Sequence, residues 1–203
     1  LTELQRDANQ KFGFSAKETL NIMQRLYENH KVLTYPRTDS KYIGTDVVDT
    51  LKDRLRAISV GPYKKLAGSL VMKPIRTNQS FVDDKKVSDH HAIILTEQYV
   101  QLEHMTSDER KIYDLVVRRF LSVLYPPFEY EQTTLHAVIC GKQAGKNVNE
   151  YFVAKGKIVK EAGWKTVYDY DEEETEEGLA EQSLPNVEKG DRLSVERVTM
   201  TNG

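Results

Sequence analysis

The sequence predicts an α+β protein: an α-rich, winged-helix-like domain over residues 1–125, followed by a β-rich, antiparallel partial domain over residues 126–203. Three observations lead there. Apolar residues recur at helical spacing in several stretches before residue 125, Pro126-Pro127 then ends any helix, and beyond it apolar and polar residues alternate. The chain has 203 residues, 39% hydrophobic and 30% charged, which supplies enough apolar material to fold one or two domains and too much for a disordered tail.

Helical signals dominate the first part. Residues 14–30 open with Ser15-Ala-Lys-Glu18, a capping box, and continue with Leu20, Met23, Leu26 and Tyr27 as an apolar face. Lys31-Val-Leu-Thr-Tyr-Pro-Arg-Thr-Asp-Ser40 cannot extend that helix, because Pro36 lacks an amide hydrogen and drives Tyr35 toward extended backbone. A short strand or extended turn is expected, with Asp39-Ser40 capping the next segment. Thr45 then caps a second helix reaching about Ile58, with Val48, Leu51 and Leu55 inward, and Gly61-Pro62 breaks it. Residues 61–89 show little periodicity and read mostly as loop. Ser107 to about Leu124 is a third helix, buried through Ile112, Leu115, Val116, Phe120 and Leu121.

Strand signals take over after Pro127. Residues 128–140, 151–159, Trp164–Tyr168 and 192–199 read as strands. Gly141-Lys-Gln-Ala-Gly-Lys146 has the outline of a phosphate-cradling loop, but only three residues separate its glycines and Asn147 follows the lysine, so a hairpin turn fits better. Between the last two strands, residues 169–181 hold eight acids in thirteen positions, the composition of a solvated loop.

Composition narrows the function classes. A single cysteine, Cys140, excludes a disulfide framework and any multi-cysteine zinc site, and points to a reducing compartment, hence the cytoplasm. No apolar run approaches the roughly 20 residues of a bilayer span, and the start, Leu1-Thr-Glu-Leu-Gln-Arg6, has no signal core. The chain opens without Met inside a helix-like segment, as a piece of a longer polypeptide would. The net charge of −2 conceals an asymmetry: residues 1–125 carry 20 Lys and Arg against 16 Asp and Glu, and residues 126–203 carry 9 against 15. The basic first part is the better candidate for a polyanionic partner.

Two constellations could carry chemistry. In Thr34-Tyr-Pro-Arg-Thr-Asp-Ser40, extended backbone would set Tyr35 and Arg37 on one face, about 7 Å apart at Cα. A free phenol has a pKa near 10 and needs a cation or proton acceptor to act as a nucleophile. The Arg37 guanidinium could supply the charge and hold two phosphate oxygens; a structural tyrosine in an ordinary turn satisfies the same spacing. Asp89-His90-His91 precedes the apolar Ala92-Ile-Ile-Leu95. Adjacent histidines on a strand point to opposite faces, so they make a poor metal pair. Imidazole donation to a phosphate or base, or simple satisfaction by backbone partners, both fit.

Residues Leu33-Thr-Tyr-Pro-Arg-Thr-Asp-Ser40 closely resemble the active-site segment of type IA DNA topoisomerases, and the proline after the tyrosine resembles the topoisomerase III branch. The likeness extends, in order, through Leu4-Gln-Arg-Asp-Ala8, Phe14-Ser-Ala-Lys-Glu-Thr-Leu20, Gln24-Arg-Leu-Tyr-Glu28 and Ser88-Asp-His-His-Ala-Ile-Ile94, covering most of residues 1–165. One departure is Leu95-Thr96, where topoisomerase III-like sequences usually continue with Pro-Thr.

The resemblance implies that Tyr35 attacks a phosphate of single-stranded DNA to form a 5′-phosphotyrosyl link, that Arg37 positions the scissile phosphate, and that Thr38, His90 and, less uniformly within the family, His91 contact DNA. It implies no ATP, because the ester exchange conserves bond energy. It also implies that Mg²⁺ acts in the full-length enzyme, held by an acidic cluster in a Toprim domain that has no counterpart in this chain. No metal ligands are expected among these residues, so the chain alone would be inactive. Residues 1–125 would be the tyrosine-bearing domain and 126–203 part of a β-rich arch, in a nucleoid-associated protein with no membrane contact. Two other readings stay open on the residues alone: a non-catalytic winged-helix DNA-binding module in which Tyr35 stacks on a base, and a protein-interaction module docking through residues 169–181.

Overall fold

The computed structural model describes residues 1–143, 145–168, 184–192 and 194. The fold is mixed α+β, as the sequence predicts, and divides into two compact units. In the first, the described residues run from Leu1 to Phe128 and resume at Glu161; the second contains a hairpin from Glu129 to Lys160. The acidic stretch 169–181 and most of the strand expected at 192–199 lie outside the described residues.

In the first unit, α1 (Thr2–Phe12) ends at Gly13, whose φ of 72° lets its amide donate back to the Asn9 carbonyl. The expected capping box opens α2 (Ala16–Glu28): Ser15 Oγ accepts from the Glu18 amide, and the Glu18 carboxylate accepts from the Ser15 amide. The last α-helix among the described residues, α6 (Ser107–Leu124), starts from a second capping box between Thr106 and Glu109, and it is the core element. Its Ile112, Tyr113, Val117 and Leu121 are fully buried and pack with Met23, Leu26, Leu33, Leu51, Leu55 and Leu95.

Four expectations for this unit are corrected. The helix expected from Thr45 to Ile58 is two pieces, α3 (Thr45–Val48) and α4 (Leu51–Ala57). The break falls at Asp49-Thr50, where the Thr50 hydroxyl donates to the Val47 carbonyl and accepts from Arg54 Nε, competing with the helical ladder. Val48 packs partly buried against the core as expected, and Val47 beside it is the more deeply buried of the two. Gly44, not Thr45, is the cap position, and Asp39-Ser40 does not serve it: the Thr45 amide donates to Asp84 instead, and Ser40 Oγ donates to the carbonyls of Tyr42 and Lys86. Residues 61–89 contain α5 (Lys64–Val71), too short for periodicity to reveal, besides 3₁₀ turns at Gly61–Tyr63 and Asp84–Lys86.

The fourth correction concerns Trp164–Tyr168, which is part of a 3₁₀ turn, Gly163–Tyr168, not a strand. Gly163 holds φ at 50°, and its Cα approaches the Pro126 and Pro127 carbonyls so closely that a Cβ would lie 2.2 Å from Pro127 O. The Trp164 amide donates to Pro126 O at 2.9 Å, and Val167 is buried against the core.

The second unit is a two-stranded sheet, β1 (Glu129–Gln143) and β2 (Lys146–Glu161), reversing at Gly145 with φ 77°. Two strands joined so tightly pair antiparallel. Lys160 pairs across with Glu131 at 2.8 Å, and Lys157 sits over the Tyr130 ring. Most of its side chains are exposed, Tyr151 and Phe152 among them.

Candidate active site

The backbone leaving α2 turns sharply. Both Asn29 and His30 amides donate to the Arg25 carbonyl, and Lys31 adopts φ 57°, a left-handed residue that ends the helix and starts an extended run. That run pairs with the segment before Thr96. Leu33 and Leu95 form an antiparallel bridge, the Thr34 amide donates to Ile94 O at 2.9 Å, and the Thr96 amide donates to Val32 O. The same register carried onward sets Thr38 opposite His90, and Thr38 Oγ1 donates to the His90 carbonyl at 3.1 Å. The apolar Ala92–Leu95 stretch is therefore what brings the histidines to the tyrosine, although their separation in sequence exceeds fifty residues.

Tyr35 is half-buried and lies between two rings. His90 is 4.6 Å away, centroid to centroid, with planes at 47°; Tyr27 of α2 is 5.6 Å away and edge-on at 77°. The Tyr35 hydroxyl has no hydrogen-bond partner among the described residues. A cavity of about 260 Å³ opens beside it, lined by Thr34, Tyr35, Gly44, Asp46, Val87, Asp89, His90 and His91. His91 Nδ1 lies 2.7 Å from the Ala92 carbonyl, to which it donates, and Nε2 is the ring nitrogen left on the other side. Arg37 is exposed, is not among the lining residues, and has no ion-pair or hydrogen-bond partner among the described residues. The structure thus joins Tyr35, Thr38, His90 and His91 in one place and does not bring the exposed Arg37 side chain among them.

Gly44 shapes the cavity wall. A Cβ there would fall 2.3 Å from Asp46 Oδ1 and 3.2 Å from Asp84 Oδ1, so the two carboxylates close over a position that admits only glycine without a shift. Among the described residues no group of three or more His, Cys, Asp or Glu side chains is disposed to hold a metal ion.

Behind the site, α2 is stapled to the start of α6. Glu109, with a side chain 5% exposed, accepts from Arg25 Nε at Oε1, 2.7 Å away, while its Oε2 accepts from the Thr106 amide and lies 3.3 Å from His30 Nε2. Burial alone would raise the Glu109 carboxyl, but the hydrogen bonds from Arg25 and Thr106, with His30 beside them, outweigh it and bring the pKa down to about 2. The network holds the helix end from which the tyrosine segment departs.

Four residues of the site escape sequence reasoning: Tyr27, Gly44, Asp46 and Val87. Tyr27 follows Met23 by four residues and so reads as core, whereas it lies at the flank of the apolar stripe and turns to Tyr35. A glycine directly before a Thr-Asp pair at a helix start is the signal that could have marked Gly44 and Asp46.

A family model described as DNA topoisomerase matches residues 1–203. The DNA topoisomerase 3 of Bacillus thuringiensis (strain Al Hakam) is 58% identical over 205 residues, which cover 100% of this chain and 27% of that protein. The DNA topoisomerase 3 proteins of Bacillus licheniformis and Bacillus subtilis (strain 168) are 52% and 51% identical, with the same coverage of each. The chain spans 27% of the length of these curated relatives.

Proposed function

The chain belongs to the DNA topoisomerase family and is of the type IA, topoisomerase III-like kind, and from that membership we propose that Tyr35 is the nucleophile of a DNA strand-passing isomerase. In the step assigned to it, the phenolic oxygen forms a bond to a backbone phosphorus and the bond from that phosphorus to the 3′-oxygen breaks. The phenol's proton is lost and the leaving 3′-oxygen gains one, so a 5′-phosphotyrosyl link and a 3′-hydroxyl result. Attack by that hydroxyl reverses the exchange. One ester replaces another, so no nucleotide hydrolysis is required.

The observation that carries this reading is the placement of the Tyr35 phenol. It stands at an open cavity, its ring set against His90, its hydroxyl free of any hydrogen bond among the described residues, within the segment shared with the family. A nucleophile tied up by a strong partner would have to break it before reacting; this one does not. In the proposed complex, the exposed Arg37 guanidinium grips the non-bridging oxygens of the scissile phosphate. Thr38, His90 and His91 face the bound single strand, with His91 offering Nε2. Mg²⁺, when bound by the full-length enzyme, would screen phosphate charge; among the described residues no group of three or more His, Cys, Asp or Glu side chains is disposed to hold it, and in this reading other parts of the polypeptide would hold it and complete the active site. Among the described residues no helix is long and apolar enough to cross a membrane, and the proposed place of action is the cytoplasm, on nucleoid DNA.

Tyr35→Phe in the full-length polypeptide carrying these residues tests the proposal. Supplied with Mg²⁺, the variant is expected to bind a single-stranded oligonucleotide within about twofold of the parent and to form no covalent DNA adduct. Adduct formation or DNA relaxation at the parental level would overturn it. A stacking role for Tyr35 predicts the opposite, because a base stacks as well on phenylalanine.

A further inference from the structure

Tyr27 lies on the last turn of α2, directly after the fully buried Leu26, and 36% of its surface is exposed. Its ring packs against Tyr35, with centroids 5.6 Å apart and planes at 77°. In that arrangement the positive rim of one ring meets the negative face of the other, a directional contact and not merely a greasy one. His90 touches the same Tyr35 ring at 4.6 Å. The backbone beneath Tyr35 is pinned by the pairing of residues 32–34 with 94–96. What remains free is rotation about the side-chain torsions of Tyr35, and no hydrogen bond at its tip restrains them among the described residues. Ring contacts from two separate elements are left to set the direction of the phenol.

We propose that Tyr27 is a positioning residue for Tyr35: together with His90 it fixes the plane of the Tyr35 ring and so aims the phenolic oxygen at phosphorus. This role rests on the assignment of Tyr35 as nucleophile. A misdirected nucleophile slows the chemical step without weakening the grip on DNA, and that separates positioning from binding.

The test measures two quantities separately in the full-length polypeptide with Mg²⁺: the single-turnover rate of covalent adduct formation and the Kd for a single-stranded oligonucleotide. Tyr27→Ala and Tyr27→Leu are expected to lower the rate about three- to tenfold, the worth of one edge-on aromatic pair, with Kd within about twofold. Tyr27→Phe restores the rate to within about twofold, because the ring and not its hydroxyl makes the contact. Tyr27→Leu keeps the apolar bulk on α2, so its slow rate in a folded protein cannot be laid to unfolding. A parental rate in Tyr27→Leu, a loss confined to Kd, or a Tyr27→Phe as slow as Tyr27→Ala would each overturn the proposal; the second outcome would make Tyr27 a stacking platform for a base. Tyr35→Phe run alongside keeps the two assignments apart. Adducts that persist in it sink the nucleophile and the positioning role together, whereas adducts lost in it beside unaffected Tyr27 variants sink the positioning role alone.

Discussion

The hydroxyl of Thr38 donates to the backbone carbonyl of His90 at 3.1 Å and accepts from the Ser40 amide at the same distance. One side chain thereby ties the tyrosine segment to the histidine segment and closes the turn after it. Replacing it with valine keeps the shape and removes both hydrogen bonds. Thr38→Val is expected to lower stability by about 1 kcal/mol and, with His90 released from its partner, to slow covalent adduct formation several-fold. Thr38→Ser keeps the oxygen and should recover most of both. Urea midpoints and single-turnover rates check the pair.

Gly163 is irreplaceable for two independent reasons: its φ of 50° and the carbonyls of Pro126 and Pro127 lying where a Cβ would go. Backbone atoms cannot swing aside as a side chain would. Gly163→Ala is expected to destabilise the first unit by roughly 2 kcal/mol or more. Gly13→Ala provides the contrast, since its left-handed φ of 72° has open space around it; it should cost only about 1 kcal/mol. Thermal melts of both variants against the parent give the comparison.

Acid should loosen the joint between α2 and α6. Glu109 titrates at about 2 in the fold against an ordinary 4.5. Its folded pKa is the lower one, so its contribution is complete above about pH 4.5 and disappears as pH falls toward 2. Glu109→Gln removes the charge at every pH and is expected to cost about 1–3 kcal/mol at neutral pH, while flattening the loss of stability between pH 4.5 and 2. Denaturant midpoints over that range, for parent and variant, measure it.

Much of the helical framework was legible in the sequence because its signals are local. Ser15 with Glu18 announces α2, the apolar stripe from Ile112 to Leu121 announces α6, and both appear where the pattern puts them. What the pattern missed depends on distant partners. The Thr50 hydroxyl chooses Val47 O over the helix ladder, and the turn after Gly163 exists because two proline carbonyls stand across from it, a fact that no window of neighbouring residues contains. At the site, Tyr35, Arg37 and the histidine pair were readable as residue types suited to phosphate chemistry. Their meeting was not, since it depends on the pairing of Leu33 with Leu95, and Tyr27 was hidden by having the periodicity of a core residue.

Where Trp164 meets Pro126, a 2.9 Å hydrogen bond inside the helical unit stitches the outgoing and incoming ends of the β ribbon to each other. Topologically the ribbon is an excursion from a loop that is already shut. The entropy of closing that loop rises only with the logarithm of its length, so related chains can lengthen, shorten or ornament the two strands at small thermodynamic expense while the tyrosine-bearing body keeps its shape.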